Sequence, residues 1–93
     1  MSVVIIGGHE CMERQYKDIC KKHGCKSKVF CKYKAGMENR IGTPDLLILF
    51  THTVSHKAVK SAVECVPKST DVIWSHSSSQ SALYTILDKA TNN

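Results

Sequence analysis

The sequence predicts a small α/β domain built on a four-stranded parallel sheet in the order 2-1-3-4. Three observations predict this fold: an apolar run that ends in two glycines, a second apolar run in mid-chain, and helical apolar spacing after both. A continuous apolar run is typical of a strand covered on both faces, so both runs are expected at the centre of the sheet. With 93 residues, the chain is expected to form a single domain, residues 1–93.

The first strand is predicted at residues 3–6, which are all β-branched and end at Gly7 and Gly8. Helical spacing starts at Glu10, so the glycines lie where a strand becomes a helix. In doubly wound folds that position is a ligand site. The helix is predicted over residues 10–23, with an apolar face formed by Met12, Tyr16, Ile19 and Cys20.

The middle of the chain contains two further strands and a crossover. Residues 28–31 are predicted as a short second strand, and their lysines favour an edge position because charged side chains protect exposed sheet edges. A polar crossover at 32–44, with one helical turn at 37–41, leads to the third strand at 45–50. This third strand is apolar after its first residue and is therefore expected in the sheet centre.

Two helices and the last strand make up the second half of the chain. Residues 51–56 lead into a helix that Ser55 or Thr53 can cap. The last strand is predicted at 71–74, and a serine-rich turn at 75–79 precedes the final helix. Trp74 and Phe50, the last residues of two strands, are expected to pack in the core, and the alternative is that they wall an apolar pocket beside the histidines.

Composition and cysteine spacing limit the class of protein. No apolar run approaches the roughly 20 residues of a membrane span, and the first apolar run is too short for a signal peptide. Five cysteines without CxxC spacing indicate reduced thiols rather than disulfides or a structural zinc site. The sequence therefore predicts a cytoplasmic protein with no membrane partner. Because so short a chain gains stability from association, a homodimer is expected.

Four of the five histidines follow predicted strands at one end of the sheet. His9 follows the first strand, His52 and His56 follow the third, and His76 follows the fourth. A single loop histidine is usually a solvated surface group, but ligands of parallel sheets bind outside the carboxyl ends of the strands. Imidazole is a ligand for zinc, copper, nickel and iron, and a common axial ligand of haem iron.

The glycine turn supports an alternative function. It lacks the third glycine and the acidic residue of a dinucleotide fingerprint, yet the helix N-termini with their serines and threonines suit an anion. The alternative is therefore an enzyme or sensor domain that binds phosphate or a nucleotide. The same hydroxyl groups are equally explained as helix caps.

Basic residues are concentrated in residues 21–40, and the chain has a net charge of +5. Such a cluster suits an anionic partner. Nucleic acid is not the expected partner, because only Phe30 and Tyr33 among these basic residues offer stacking surfaces for bases. A solvated helix end beside an edge strand protected by lysines is the simpler interpretation.

Several short motifs follow one another in the order seen in a known family. They are Ile-Ile-Gly-Gly at 5–8, Ala-Gly at 35–36, Asp-Leu-Leu-Ile at 45–48, Thr-Val-Ser-His at 53–56 and the serine-rich turn. Over its whole length the chain resembles the small bacterial family called domain of unknown function 2325. The resemblance implies a compact, Rossmann-like cytoplasmic domain with no settled enzymatic activity, and it suggests haem as a ligand.

The positions that match the family motifs are Gly7, Gly8, Gly36, Ser55 and His56. The chain departs from the family pattern where basic, acidic and basic residues are replaced by His9, His52 and His76. Lys34 also replaces a more acidic or polar residue. These departures weaken a shared anion-binding role and favour a metal or an iron porphyrin.

The sequence thus predicts a non-catalytic protein that binds haem or, failing that, a transition metal ion. The expected iron ligand is His56 or His9, with His52 and His76 as further candidates. The hydroxyl groups, Ser55 among them, are expected to contact the propionates. The other residues expected around the porphyrin ring and its propionates are Val54, Phe50, Met37, Lys34 and Arg40. Cys11 is expected to be a soft ligand or an inert thiol.

Overall fold

The structure is a computed structural model, which describes residues 1–32, 36 and 38–91. Its strands are β1 (Ser2–Ile6), β2 (Lys26–Phe30), β3 (Leu46–Phe50) and β4 (Asp71–Ser75). Its α-helices are α1 (Glu13–Lys22), α2 (His56–Cys65) and α3 (Gln80–Thr91). All strand pairs are parallel and the sheet order is β2-β1-β3-β4, which confirms the predicted fold class and strand order.

Two 3-10 turns complete the described elements, at Glu10–Met12 before α1 and at Glu38–Arg40 in the crossover. The first replaces the predicted opening turn of the first helix. The strand β2 starts earlier than the predicted residue 28, because Lys26 already pairs with Ser2 of β1. Its polar side chains hide this start in the sequence, since an edge strand has little need of apolar residues.

The core lies on both faces of the two central strands. The five side chains of β3 are at most 2% exposed, and the four apolar side chains of β1 are similarly buried. Fully burying one such aliphatic side chain stabilises the fold by roughly 1.5–3 kcal/mol. On one face α1 and α3 pack through Tyr16, Ile19, Cys20, Leu83 and Leu87, and on the other α2 packs through Val59 and Ala62.

The helices cover the two faces unequally. The face under α2 has one helix, which packs over β1 and β3 together with Ile41. The outer strand β4 therefore has little cover on that face, and Trp74 is 57% exposed. The prediction that Trp74 packs in the core is wrong, because its side chain lies near the end of an edge strand, where α2 does not cover it. None of the helices in the described ranges is long and apolar enough to span a membrane.

Candidate functional site

An open cleft of about 610 Å³ lies at the carboxyl ends of the central strands. It is formed by the turn after β1, the turn after β3 and the serine-rich turn before α3. Its lining residues are His9, Met12, His52, His76, Ser77, Ser78, Ser79, Gln80 and Ser81. Three of the four histidines expected at the rim of the sheet therefore lie in one cleft.

His52 and His76 form the closest imidazole pair in the cleft. Their ring centroids lie 4.9 Å apart, and the rings meet edge to face at 61°. The backbone explains this proximity, because the Thr51 N–H donates to the carbonyl of Ser75 over 3.0 Å, and each histidine directly follows one of these two residues. Neither ring makes a hydrogen bond within the described part of the chain.

His9 reaches the same cleft from the turn after β1. Gly7 and Gly8 both have positive φ angles, +100° and +89°, which glycine adopts without strain. Space at this turn is also limited, because a Cβ atom on Gly8 would lie 2.6 Å from the ring of Tyr16. The two glycines thus turn the chain sharply out of β1 and leave His9 exposed at the cleft.

The N–H groups of the glycine turn already have acceptors within the protein. Gly7 donates to the carbonyl of Phe30 over 2.9 Å, and Gly8 donates to Thr53 Oγ1 over 2.6 Å. The N–H of His9 donates to the Tyr16 hydroxyl over a longer 3.4 Å. In this conformation these groups are not free to bind a phosphate in the manner of a glycine-rich loop.

Hydroxyl groups at the helix starts act mainly as caps. Ser55 Oγ accepts from the N–H of Ala58 at the start of α2, as predicted, and Ser79 Oγ accepts from the N–H of Ala82 in α3, each over 3.1 Å. Ser77 Oγ donates to Ser79 Oγ over 3.1 Å. The serine-rich wall of the cleft is therefore a set of mutually bonded residues rather than an open anion cradle.

Tyr16 and Thr53 connect the turns that form the cleft, whereas the sequence predicts Tyr16 on the apolar face of the first helix and Thr53 as an alternative cap of the second. The Tyr16 hydroxyl donates to the carbonyl of Ser78 over 2.7 Å, which joins α1 to the serine-rich turn. Thr53 Oγ1 accepts from Gly8 and donates to the carbonyl of Phe50, so it is not the cap of α2. One signal for Tyr16 was available, because a buried tyrosine hydroxyl needs a hydrogen-bond partner.

The thioether in the cleft belongs to Met12, whereas the sequence pointed to Met37. Met37 and Lys34 lie outside the described residues. Cys11 is exposed and does not line the cleft. Burial, followed by the charge of Glu13, raises the pKa of Cys31, whose thiol contacts the carbonyl of His9 at 3.6 Å.

Several other predicted site residues lie away from the cleft. His56 begins α2 and lines a separate depression with Trp74. Arg40 lines a groove beside β2 with Lys17 and Lys28. Phe50 is fully buried, so it cannot contact a ligand, and Val54 is half-buried against Gly7.

Donor groups in the cleft are few. Within residues 1–32, 36 and 38–91 there is no group of three or more His, Cys, Asp or Glu side chains arranged to hold a metal ion. The cleft therefore offers imidazoles singly or as one pair. A closed cage for a bare ion, which needs three or four converging protein donors, is absent from these residues.

Comparisons with known proteins identify the family but supply no ligand. No curated protein and no solved structure matches the sequence. A family model described as an uncharacterized protein conserved in bacteria, DUF2325, matches residues 2–90. This match covers nearly the whole domain, including every strand and the cleft, and the chain therefore belongs to the DUF2325 family of bacterial proteins.

Proposed function

We propose that this protein is a non-catalytic haem-binding domain. It would hold its ligand through His52 or His76 in the cleft at the carboxyl ends of the strands. The observation that carries the proposal is the imidazole pair, with ring centroids 4.9 Å apart in an open cleft. Both rings lack hydrogen-bond partners among the described residues, so their nitrogen lone pairs are available to a metal centre.

The number of donors favours haem iron over a bare metal ion. A porphyrin supplies four of the ligands of its iron, and the protein adds one or two axial ligands. Two imidazoles, with His9 nearby, meet that need. A bare ion would require at least one more donor than the described residues bring together.

The walls of the cleft suit a haem that enters and leaves rather than one that is permanently buried. Met12 offers an apolar contact, while the side chains of Gln80 and Ser81, which make no hydrogen bond within the described part of the chain, offer partners for propionates. Because the cleft is open to solvent, the ring would stay partly in contact with water. We therefore propose haem handling or sensing, with modest affinity, rather than storage.

Haem titration of the purified protein, followed by absorbance, tests the proposal. We expect a saturable shift of the Soret band that is lost or strongly weakened in His52→Ala or His76→Ala. His56→Ala is the matched control, because this histidine lies at the same end of the sheet but outside the cleft. A featureless titration, or one that none of the cleft variants changes, would overturn the proposal.

The alternative, binding of phosphate or a nucleotide, has less support. Gly7, Gly8 and His9 donate their N–H groups to protein oxygen atoms. Serines cap α2 and α3, and only the start of α1 lacks a side-chain cap among the three α-helices of the described chain. Titration with inorganic phosphate and with ATP, followed by NMR, tests this alternative separately. Chemical-shift changes centred on residues 7–9, without a response to haem, would favour it.

We propose the cytoplasm as the place of action. All five cysteines are free, including the buried Cys20 and Cys25, which lie close in sequence without forming a disulfide. Reduced thiols of this kind are typical of a reducing compartment. Fractionation of cells that express a tagged protein would test the assignment.

A further inference from the structure

A second surface of the molecule combines an exposed tryptophan, at the edge of the apolar packing of α2, with side chains of opposite charge. We call it the Trp74 face, and it consists of His56, Val59, Lys60, Val63, Glu64 and Trp74. Its side chains enclose a shallow groove of about 250 Å³ between α2 and β4. Trp74 and Met1 are the exposed large hydrophobic residues of the described chain, so the position of the tryptophan requires an explanation.

The architecture of the sheet leaves this face uncovered. β4 pairs with β3 on one side, and its other edge has no partner strand among the described elements. Val72 lies on the α2 side of β4 and still packs against the core beside α2, whereas Trp74, two residues further on, extends past the helix. An exposed indole at a sheet edge is characteristic of an interface anchor, because tryptophan contributes a large apolar area.

The Trp74 face carries both a positive and a negative side chain, so two copies of this face can pair their opposite charges. Lys60 and Glu64 are exposed, four residues apart on α2, and neither forms a salt bridge within the described part of the chain. A twofold axis through the face would set Lys60 of one copy opposite Glu64 of the other. Such self-complementarity is the requirement of an isologous dimer, in which the same patch is used by both subunits.

We infer that the Trp74 face is the interface of a symmetric homodimer, with two tryptophans packed across the twofold axis between the α2 helices. The cationic surface of the chain lies mainly along the β2 side, at the opposite edge of the sheet, so the two clusters of positive charge stay apart in this arrangement. The haem-binding cleft is formed by other residues, and the inference does not depend on it.

Sedimentation and tryptophan fluorescence test the dimer directly. The chain contains one tryptophan, so its emission reports on this face alone. We expect a monomer–dimer equilibrium in which rising protein concentration shifts the emission to shorter wavelength as the indole leaves water. Trp74→Ala is expected to leave the monomer folded, because the side chain is exposed, and to weaken the dimer by about tenfold or more.

Charge exchange gives the sharper test. Lys60→Glu and Glu64→Lys each place like charges across the axis and should weaken the dimer about tenfold. The double variant K60E/E64K restores opposite charges and should recover most of the loss. Lys89→Glu on α3, which changes the net charge by the same amount as Lys60→Glu but lies off the face, is the matched control for that variant and should have little effect.

Two results would overturn the inference. One is a protein that stays monomeric at every concentration, even if the Trp74 face then binds a different protein. The other is a dimer whose stability is unchanged by Trp74→Ala and by both single charge reversals, which would place the interface elsewhere.

Discussion

The imidazole of His23 connects the end of α1 to α3 through Asp88. Its Nε2 lies 2.7 Å from Asp88 Oδ1, and its Nδ1 lies 2.8 Å from the carbonyl oxygen of Ile19. Both ring nitrogens thus face acceptors, and only the protonated ring can donate to both. The carbonyl of Ile19, and then the carboxylate of Asp88, raise the pKa of His23 above its ordinary value of 6.5.

This contact should make the stability of the fold depend on pH. A group whose pKa is higher in the folded than in the unfolded protein stabilises the fold when it is protonated. The contribution of His23 is therefore complete below about pH 6.5 and is lost as the pH rises through the raised pKa. Because Asp88 is 65% exposed, the contact should add less than about 1 kcal/mol to the free energy of unfolding. Melting temperatures measured below and above this pH range would show the difference.

Asp88→Asn identifies the source of that dependence. The amide keeps the shape of the side chain but removes the charge, so the advantage at acidic pH should shrink. Asp18→Asn makes the same chemical change at an exposed position of α1, where the carboxylate makes no hydrogen bond or ion pair within the described part of the chain, and should not alter the pH profile. An identical pH profile in wild type and Asp88→Asn would contradict the assignment.

The positions of the histidines show what sequence reasoning can and cannot reach. Topology rules place the carboxyl ends of parallel strands at one rim, and this was enough to bring His9, His52 and His76 together. The rules do not describe the path of each turn. His56 was expected with the other three but begins α2, whose first turn faces Trp74 instead.

The exposure of Trp74 was missed for a related reason. Apolar content and alternation identify a strand, but they do not say whether a helix covers each face of it. On one face of this sheet the covering helix is α2, and it packs over the central strands. Central strands were therefore predicted well, whereas the cover of an edge strand depends on tertiary packing.

Tyr16→Phe should weaken the connection between α1 and the serine-rich turn while the core stays packed. The substitution keeps the buried ring against Phe50 and removes the hydroxyl that donates to the carbonyl of Ser78 over 2.7 Å. Loss of this bond should lower the free energy of unfolding by about 1 kcal/mol, as measured by urea denaturation. It should also weaken haem binding, because the serine-rich turn loses its tie to α1.

Tyr84→Phe is the matched control for this change. Its hydroxyl accepts from Lys22 Nζ over 3.4 Å at an exposed site, so its removal should cost much less. Equal losses of stability in Tyr16→Phe and Tyr84→Phe would show that the hydrogen bond to Ser78 stabilises the fold no more than the exposed contact of Tyr84 does.

Labelling of thiols should separate the buried from the exposed cysteines. Burial raises the pKa of Cys20 from 9.0 to about 11, which lowers its thiolate fraction at neutral pH about a hundredfold. An alkylating reagent followed by mass spectrometry should therefore modify Cys11 and Cys65 and spare Cys20 until the protein is unfolded. Modification of Cys20 at the rate of Cys11 in the native protein would contradict its burial.

Gly8→Ala should strongly destabilise the fold at the rim of the sheet. The residue has a φ of +89°, and a Cβ atom would lie 2.6 Å from Tyr16, which is fully buried and cannot move aside. Strain and overlap together should cost about 2–4 kcal/mol in urea denaturation, since either effect alone costs roughly 1–3 kcal/mol.

Gly24→Ala separates the two causes. It has a φ of +72°, yet a Cβ atom there meets nothing within 4 Å, so backbone strain is its only cost, about 1–2 kcal/mol. The difference between the two variants measures the overlap with Tyr16. A result in which Gly8→Ala lowers the free energy of unfolding by no more than Gly24→Ala would contradict the close contact between the glycine turn and Tyr16. It would also contradict the role of this contact in holding His9 at the cleft.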